Sequence, residues 1–330
     1  MNRIVFLFVF LFSVAVINAQ DTRKEFFGMW TLDIEGSSVG WLGVNDDKGF
    51  LDAELLWVGG SVSPVSNVYF KDNNTLVVTR NSEVRRDDSR RHVITQVFTF
   101  ERSGDMLIGT MINPSRDGMS SSKRIFTGWR LDYPAPAPDL SKVRYGAPIN
   151  LFNGRDLTGW RLINPNQVNG FKAVNGELRN EPVSPEGQRI SFGNLRTDAE
   201  FYDFKLTLEV NIPQGSNSGV YLRGIYEVQV VDSYGQEPNW LNMGALYSRI
   251  VPSVAAEKRA GEWQTMEMIL CDRHVTVVLN GVKIIDNKPV YGPTGGAMHA
   301  DVLRSGPIYL QGDHGAVSYR NIVLTPIIKD

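Results

Sequence analysis

The sequence predicts an all-β protein of two domains, the second of them a two-sheet jelly roll. Apolar and polar residues alternate in short runs of about five to eight residues, and Gly, Asn and Asp separate these runs. No stretch keeps a helical period over about a dozen residues. The 330 residues also exceed the size at which one core usually stops growing, about 250–300 residues. Two β domains are therefore expected.

Residues 1–20 have the pattern of a cleavable secretory signal. Arg3 precedes an apolar run from Ile4 to Ile17, and the small residue Ala19 stands before polar sequence. The run is shorter than the roughly 20 apolar residues that a spanning helix needs. We therefore expect export without a membrane anchor.

Charge and cysteine content restrict the partners and the sources of stability. The net charge is −2, with both signs interspersed along the chain. This distribution argues against nucleic acid or an anionic membrane surface as a partner. Cys271 is the one cysteine, so no disulfide can form within the chain, and stability must come from core burial.

Residues 25–132 are expected to form a small β-barrel or sandwich of meander type, whose role the sequence does not reveal. Tight turns are predicted at 71–74 and 103–105, between runs with strand character. The charged stretch from Glu83 to His92 mixes acidic with basic residues. It favours a solvated hairpin loop over a polyanion site.

Residues 133–146 are predicted to link the two domains. Pro and Ala alternate from Tyr133 to Asp139, and this pattern favours an extended, semi-rigid spacer. We expect the units on either side to fold independently.

Residues 147–330 are predicted to form the jelly roll. Asn175-Gly176 and Asn280-Gly281 are dipeptides that close two-residue hairpins. Regular strands with tight turns over this length fit two packed antiparallel sheets.

In three strands of this region, the alternation of residues predicts one aliphatic face and one polar face. Because alternate residues of a strand point in opposite directions, the aliphatic pairs are Val220 and Leu222, Val228 and Val230, and Ile308 and Leu310. The opposite faces carry Tyr221 and Arg223, Glu227 and Gln229, and Tyr309 and Gln311. Such planar polar and aromatic groups bind sugars. The alternative is an exposed sheet face with cross-strand charge pairs.

Three loops are predicted to surround this polar face. They are 214–219, which contains Asn217, Asp232 through Tyr247, and 312–315, which contains Asp313 and His314. His314 follows a strand directly and is the preferred histidine for chemistry, since loops on a rigid scaffold often carry function. His299 is the second choice. His274 stands beside Arg273 at the start of a hairpin strand and is predicted to have a structural role.

Six ordered motifs resemble the 3-keto-disaccharide hydrolase family, whose activities are also described as 3-keto-glucoside 1,2-lyase and 3-keto-2-hydroxy-glucal hydratase. The motifs are LFNGRDLTGWR, NSGVYLRGIYEVQVVDSYG, GALYS, GEWQTMEMIL, VTVVLNGVKI and GPIYLQGDHGAVSYRNIVL, within about residues 147–328. The resemblance implies a concanavalin A-like jelly roll, a bacterial, periplasmic setting and an oxidised sugar or glycoside as substrate. It also implies elimination: a base removes the C2 hydrogen beside the C3 ketone, and the C1 aglycone leaves.

That chemistry suggests roles for the polar face. Glu227 is expected as base or metal ligand, His314 as acid or base, and Arg223 and Gln229 as groups that hold sugar oxygens. The further substrate-binding candidates are Tyr221, Tyr247, Asn217, Tyr309, Gln311 and Asp232. A divalent metal ion held by Glu227, His314 and Asp313 is an alternative to Arg223 as the stabiliser of the enolate.

Two other functions remain open from the sequence. The same fold can carry a non-catalytic lectin-like module. A conventional glycoside hydrolase would need a second carboxyl group facing Glu227, and Asp232 and Asp313 are the candidates.

Overall fold

The computed structural model describes residues 21–36, 38–85, 90–184, 186 and 190–328. The predicted secretory signal lies outside them. A short 3₁₀ helix, Arg23–Phe26, leads into the first strand. Within the described ranges, no helix is long and apolar enough to cross a membrane.

The first nine strands form one antiparallel sheet, which we call the N-terminal sheet. They are β1 (Gly28–Ile34), β2 (Ser38–Asp47), β3 (Phe50–Trp57), β4 (Gly59–Pro64), β5 (Asn67–Asp72), β6 (Thr75–Arg85), β7 (Arg91–Ser103), β8 (Met106–Pro114) and β9 (Ser121–Leu131). Their order in the sheet is β4-β3-β2-β1-β9-β8-β7-β6-β5. Consecutive strands pair within β1–β4 and within β5–β9, as predicted for a meander, and the pairing of β1 with β9 joins the two series. The charged stretch joins β6 to β7, as predicted for a hairpin, and its residues 86–89 are outside the described part.

The two faces of the N-terminal sheet bury apolar side chains against different neighbours. One face, with Trp30, Trp57 and Phe98, encloses the sheet's own core. Trp41 and Leu56 belong instead to the core cluster of the second half of the chain. This part of the sheet therefore packs on the second half.

The described residues of the second half contain fourteen strands. They are β10 (Arg144–Tyr145), β11 (Ile149–Asn150), β12 (Trp160–Leu162), β13 (Phe171–Val174), β14 (Glu177–Asn180), β15 (Leu195–Thr197), β16 (Phe204–Asn211), β17 (Asn217–Leu222), β18 (Tyr226–Val231), β19 (Trp263–Cys271), β20 (His274–Leu279), β21 (Val282–Pro289), β22 (Tyr309–Leu310) and β23 (Val317–Ile328).

These strands form a sandwich of two sheets, as the sequence predicts. The back sheet has the order β13-β14-β23-β16-β19-β20-β21, with β10 and β11 also paired to β23. The front sheet has the order β12-β15-β22-β17-β18. Aliphatic side chains of both sheets, among them Leu206 from the back and Val228 from the front, meet in one core cluster. The all-β, two-layer architecture is therefore confirmed.

The predicted tight turns are present in the sandwich. Asn175 and Gly176 join β13 to β14, and Asn280 and Gly281 join β20 to β21. All four residues have φ between +51° and +83°, which Asn and Gly adopt at low cost.

The Pro/Ala segment lies along the sandwich. Asn287 donates a hydrogen bond from Nδ2 to the carbonyl oxygen of Pro138, at 2.8 Å. The rings of Tyr133 and Tyr291 meet edge to face, with 6.0 Å between their centroids. The independence of the two units stays a prediction, but this segment is in contact with the second one.

Candidate functional site

Cross-strand pairing places the polar groups of the front sheet in two rows. Tyr221 of β17 pairs with Glu227 of β18 on one side and with Tyr309 of β22 on the other. The Tyr221 and Tyr309 rings stack, with 3.9 Å between centroids and 7° between planes. In the next row, Gly219 lies opposite Gln229. The predicted polar face therefore exists, with aliphatic partners such as Val228 on its opposite side in the core.

This polar face is covered and forms the floor of a cavity of about 260 Å³, which we call the site cavity. It is lined by Gly59, Gly60, Asn194, Asn217, Tyr221, Glu227, Gln229, Tyr247, Gly295, Gly296, Tyr309, Gln311, Asp313 and His314. The structure thus brings together nine residues that the sequence predicts: Glu227, His314, Asp313, Gln229, Tyr221, Tyr247, Asn217, Tyr309 and Gln311.

Glu227 is the acidic group at the centre of this floor, and its side chain is held on several sides. Its residue is 4 % exposed, and its backbone N–H donates to Thr294 Oγ1 at 2.9 Å. Gly219 leaves room for its carboxyl group, because a Cβ at Gly219 would collide with Glu227 Oε1. Burial raises the pKa of Glu227 from 4.5 to about 8, although the hydrogen bond from Tyr221 and the charge of His314 lower it.

The Tyr221 hydroxyl has two possible acceptors, and this geometry is compatible with a protonated Glu227. The Tyr221 hydroxyl lies 2.8 Å from Glu227 Oε2 and 2.8 Å from the carbonyl oxygen of Gly295. A phenolic hydroxyl has one proton to donate, and a carbonyl oxygen can only accept. When Tyr221 donates to Gly295, the contact with Glu227 needs a proton on the carboxyl group. At neutral pH Glu227 is thus suited to give up a proton.

His314 lies at the edge of the site cavity and is oriented by its neighbour. Its Nδ1 lies 2.7 Å from Asp313 Oδ1, and the side chain is half-exposed. The hydrogen bond to Asp313 raises the pKa of His314 above its usual value of 6.5. Because Nδ1 is engaged, Nε2 is the ring atom available for proton transfer.

Three residues that line the site cavity each carry an amide oxygen with no hydrogen-bond partner in the described part of the chain. These oxygens are Oδ1 of Asn217, Oε1 of Gln229 and Oε1 of Gln311, all buried. The orientation of Gln229 follows from its Nε2, which donates to the carbonyl oxygen of Leu241 at 3.2 Å. Buried polar atoms are normally hydrogen-bonded. These three acceptors are therefore suited to hydroxyl groups of a ligand.

Arg223 does not line the site cavity, contrary to the prediction. Its φ is +55°, so the alternation of β17 ends after Leu222, and the side chain leaves the Tyr221 face. Arg223 is 0 % exposed, donates to the carbonyl oxygen of Val302 at 2.5 Å and lies over the ring of Tyr202. It cannot clamp a sugar in this cavity.

Two further candidates lie elsewhere. Asp232 accepts a hydrogen bond from the backbone N–H of Gly215 at 2.9 Å and shapes the rim loop instead of lining the site cavity. His299 borders a separate cleft between the N-terminal sheet and the loop around Asp301. His274 is buried, with Nδ1 3.0 Å from the carbonyl oxygen of Asp272, as its structural pattern predicts.

The proposed metal ligands do not form a ligand set in the described residues. A metal site needs donor atoms grouped around one point, and the donor atoms of Glu227, Asp313 and His314 do not all lie within 4.8 Å of one another. The grouping that does is Asp203, Cys271 and Asp272. The trio predicted from the sequence therefore does not fit an ion as it stands.

Four glycines and Asn194 also line the site cavity, and the sequence patterns did not predict them. Gly59 and Gly60 come from the N-terminal sheet, and Gly295 and Gly296 come from the loop before β22. Asn194 Oδ1 accepts from the Gly312 N–H at 2.7 Å. The Gly219 position was readable as a strand glycine, which often marks a close approach. The other glycines carry no local signal.

Comparison with known proteins gave one family and several solved structures. The model of the 3-keto-alpha-glucoside-1,2-lyase-like domain matches residues 147–325. No protein of curated function matches the chain.

Two similar solved structures are candidate glycosyl hydrolases from Parabacteroides distasonis ATCC 8503. One is 27 % identical, covers 58 % of this chain and 93 % of its own, and has a TM-score of 0.44. The other is 20 % identical, covers 55 % and 94 %, and has a TM-score of 0.45. A third, the carbohydrate binding module CBM66 from Bacillus subtilis, is 11 % identical, covers 50 % and 93 %, and has a TM-score of 0.32. The match of the family model covers more than half of the chain, and the chain belongs to the family of 3-keto-alpha-glucoside-1,2-lyase-like domains.

Proposed function

We propose that the protein is an exported enzyme that cleaves 3-keto-glycosides by elimination at the site cavity. The observation that carries this proposal is the placement of the buried carboxyl group of Glu227 and an Asp313-oriented His314 in one cavity. Burial raises the pKa of Glu227, which supports its protonated form at neutral pH. Membership of the lyase-like family supports the reaction type. The three unpartnered amide oxygens support a polyhydroxylated ligand.

The first step is removal of the C2 proton. The C3 ketone makes this proton acidic, and neutral His314 takes it on Nε2 while Asp313 holds Nδ1. The electron pair of the C2–H bond moves into the enolate. With Arg223 outside the site cavity, neutral donors such as the Tyr309 hydroxyl are left to stabilise the enolate oxygen.

The second step is departure of the aglycone. The C1–O bond breaks, a C1=C2 double bond forms, and Glu227 gives its proton to the leaving oxygen. The products are a 2-hydroxy-3-keto-glucal and the free alcohol. Water can then add across the double bond, with its hydroxyl on C1 and its proton on C2. The raised pKa of Glu227 supports the role of acid in this proposal, in place of the role of base expected from the sequence.

The test is incubation of the purified protein with a 3-keto-glucoside and with the unoxidised parent glucoside. We expect loss of the 3-keto form alone, with deuterium entering C2 of the hydrated product in D₂O. Equal turnover of both would instead support the two-carboxylate hydrolase, for which Glu227 and Asp313 are the carboxyl groups present in the site cavity. Binding of both without turnover would support the lectin-like module.

A further inference from the structure

The hairpin tip between β3 and β4, residues 58–60, forms part of the wall of the site cavity. Gly59 and Gly60 line it together with Glu227. Gly60 touches the opposite wall, because a Cβ on Gly295 would collide with the Gly60 carbonyl oxygen. The N-terminal sheet thus reaches the candidate catalytic groups of the sandwich.

The residues that follow the hairpin tip in β4 make contacts that hold it in place. The backbone N–H of Val62 donates to Ser248 Oγ at 2.9 Å, and Ser61 Oγ lies 3.3 Å from the Tyr247 hydroxyl oxygen. Val58 has a φ of +69°, a strained value for a β-branched residue. Such strain persists where the surroundings impose the conformation.

The base of the hairpin is also anchored. The indole ring of Trp41, on the neighbouring strand β2, lies under the Arg249 guanidinium, with 4.2 Å between Cζ and the ring centroid. Trp41 is buried in the core cluster of the sandwich. The tip is therefore a fixed wall of the cavity.

A wider cleft begins directly behind the hairpin tip. Ser61 and Ser248, the residues that follow Gly60 and Tyr247 in the chain, line a cleft of about 920 Å³. Its walls include the rings of Trp240 and Tyr291, which are exposed. Aromatic rings with exposed faces pack against the apolar faces of sugar rings and other rings.

We propose that the N-terminal sheet determines substrate specificity, and that its hairpin tip admits glycosides whose aglycone is itself a ring. This inference rests on the proposed function. The site cavity takes the 3-keto sugar, and the aglycone passes over Gly59 and Gly60 into the cleft with Trp240 and Tyr291. A Cβ at either glycine would have no atom within 4 Å, so the space in front of both glycines is open to the aglycone.

The first test is Gly59→Leu in the full chain. This position has no positive φ and no atom within 4 Å of a new Cβ, so the protein should keep its melting temperature. We expect kcat/KM for a 3-keto-disaccharide to fall about tenfold relative to that for the methyl 3-keto-glucoside, because the leucine side chain blocks the ring.

A matched pair of variants controls for backbone strain. Gly60 and Gly49 both have positive φ, +74° and +90°, and neither has an atom within 4 Å of a new Cβ. Gly49 lies in the turn at the other end of β3, outside the residues that line the site cavity. Gly60→Ala should lower kcat/KM for the 3-keto-disaccharide relative to that for the methyl 3-keto-glucoside. Gly49→Ala should leave this ratio unchanged.

Dissociation constants measured by calorimetry for the same two ligands separate this inference from the proposed function. If the wild-type protein turns over neither ligand, the proposed function is wrong, and the ratio of the two dissociation constants still tests the hairpin tip. A Gly59→Leu variant that weakens disaccharide binding selectively supports the inference. Equal changes for both ligands, or no change for either, would overturn it.

Discussion

The N-terminal sheet and the sandwich differ most in what they bury. Among the described residues of the N-terminal sheet, the buried polar side chains are those of Thr31 and Thr75. The sandwich buries charged and amide groups, including Glu227, Gln229 and Gln311. Burial of a polar group costs free energy unless a partner compensates for it. The N-terminal sheet therefore buries side chains mainly for packing and shape, whereas the sandwich also buries polar groups whose burial is costly.

The largest effect on activity is expected when either of the two proposed proton-transfer groups of the sandwich is removed. Glu227→Gln and His314→Asn should each lower kcat by about 10²- to 10⁴-fold with the fold retained, because each removes general acid or base catalysis. Steady-state kinetics on a 3-keto-glucoside measures this. Asp232→Asn is the matched control, since Asp232 lies outside the site cavity and should leave kcat close to wild type. A control as inactive as the two variants would contradict the assignment.

A core substitution in the N-terminal sheet should lower stability and leave kcat nearly unchanged. Phe98 is fully buried and packs edge to face on Trp57, with 4.9 Å between centroids. Phe98→Ala should lower the free energy of unfolding by about 3–5 kcal/mol, as truncation of a core aromatic usually does. Denaturant titration measures this change, and kcat of the folded fraction should stay near wild type. If Phe98→Ala instead lost activity at unchanged stability, the contrast between the two regions would be wrong.

Removal of the buried carboxyl group should stabilise the protein at alkaline pH. The pKa of Glu227 is about 8 in the folded state and near 4.5 when exposed. Between these values the unfolded chain loses a proton that the folded chain keeps, so the free energy of unfolding falls as pH rises. Glu227→Gln lacks this loss, so its free energy of unfolding above pH 8 should exceed that of the wild type by up to about 5 kcal/mol.

Thermal melts of both proteins at pH 4 and pH 9 check this expectation. The advantage of Glu227→Gln should be small at pH 4, where Glu227 is protonated in both states, and large at pH 9. An advantage that does not change with pH would show that Glu227 is not held protonated by burial.

The pH dependence of kcat/KM should have a narrow bell shape. Activity needs a neutral His314, whose pKa lies above 6.5, and a protonated Glu227, whose pKa is about 8. On each side of the optimum, kcat/KM should fall about tenfold per pH unit beyond the pKa of the group concerned. His314→Asn should remove the acidic limb from the residual activity. A profile that keeps rising through pH 9 would exclude Glu227 as the acid.

Local sequence predicted the fold where neighbours in the chain are also neighbours in the sheet. The consecutive pairings within β1–β4 and within β5–β9, and the Asn175-Gly176 and Asn280-Gly281 hairpins, follow from alternation and turn residues. The aliphatic and polar sides of β17, β18 and β22 were also readable, because the pleat fixes them. Alternation failed at Arg223, where one positive φ turned the side chain to another environment.

By itself, the sequence determined the two β regions, the sandwich and the residue types of the polar face, since these depend on periods of two and on short turns. The tertiary structure alone decided which of those residues share one cavity, because that depends on contacts between distant segments. It excluded Arg223 and Asp232 from the cavity, placed Asp313 against His314, and brought Gly59 and Gly60 across from the N-terminal sheet. Burial under these distant segments also raises the pKa of Glu227, a property that no local pattern encodes.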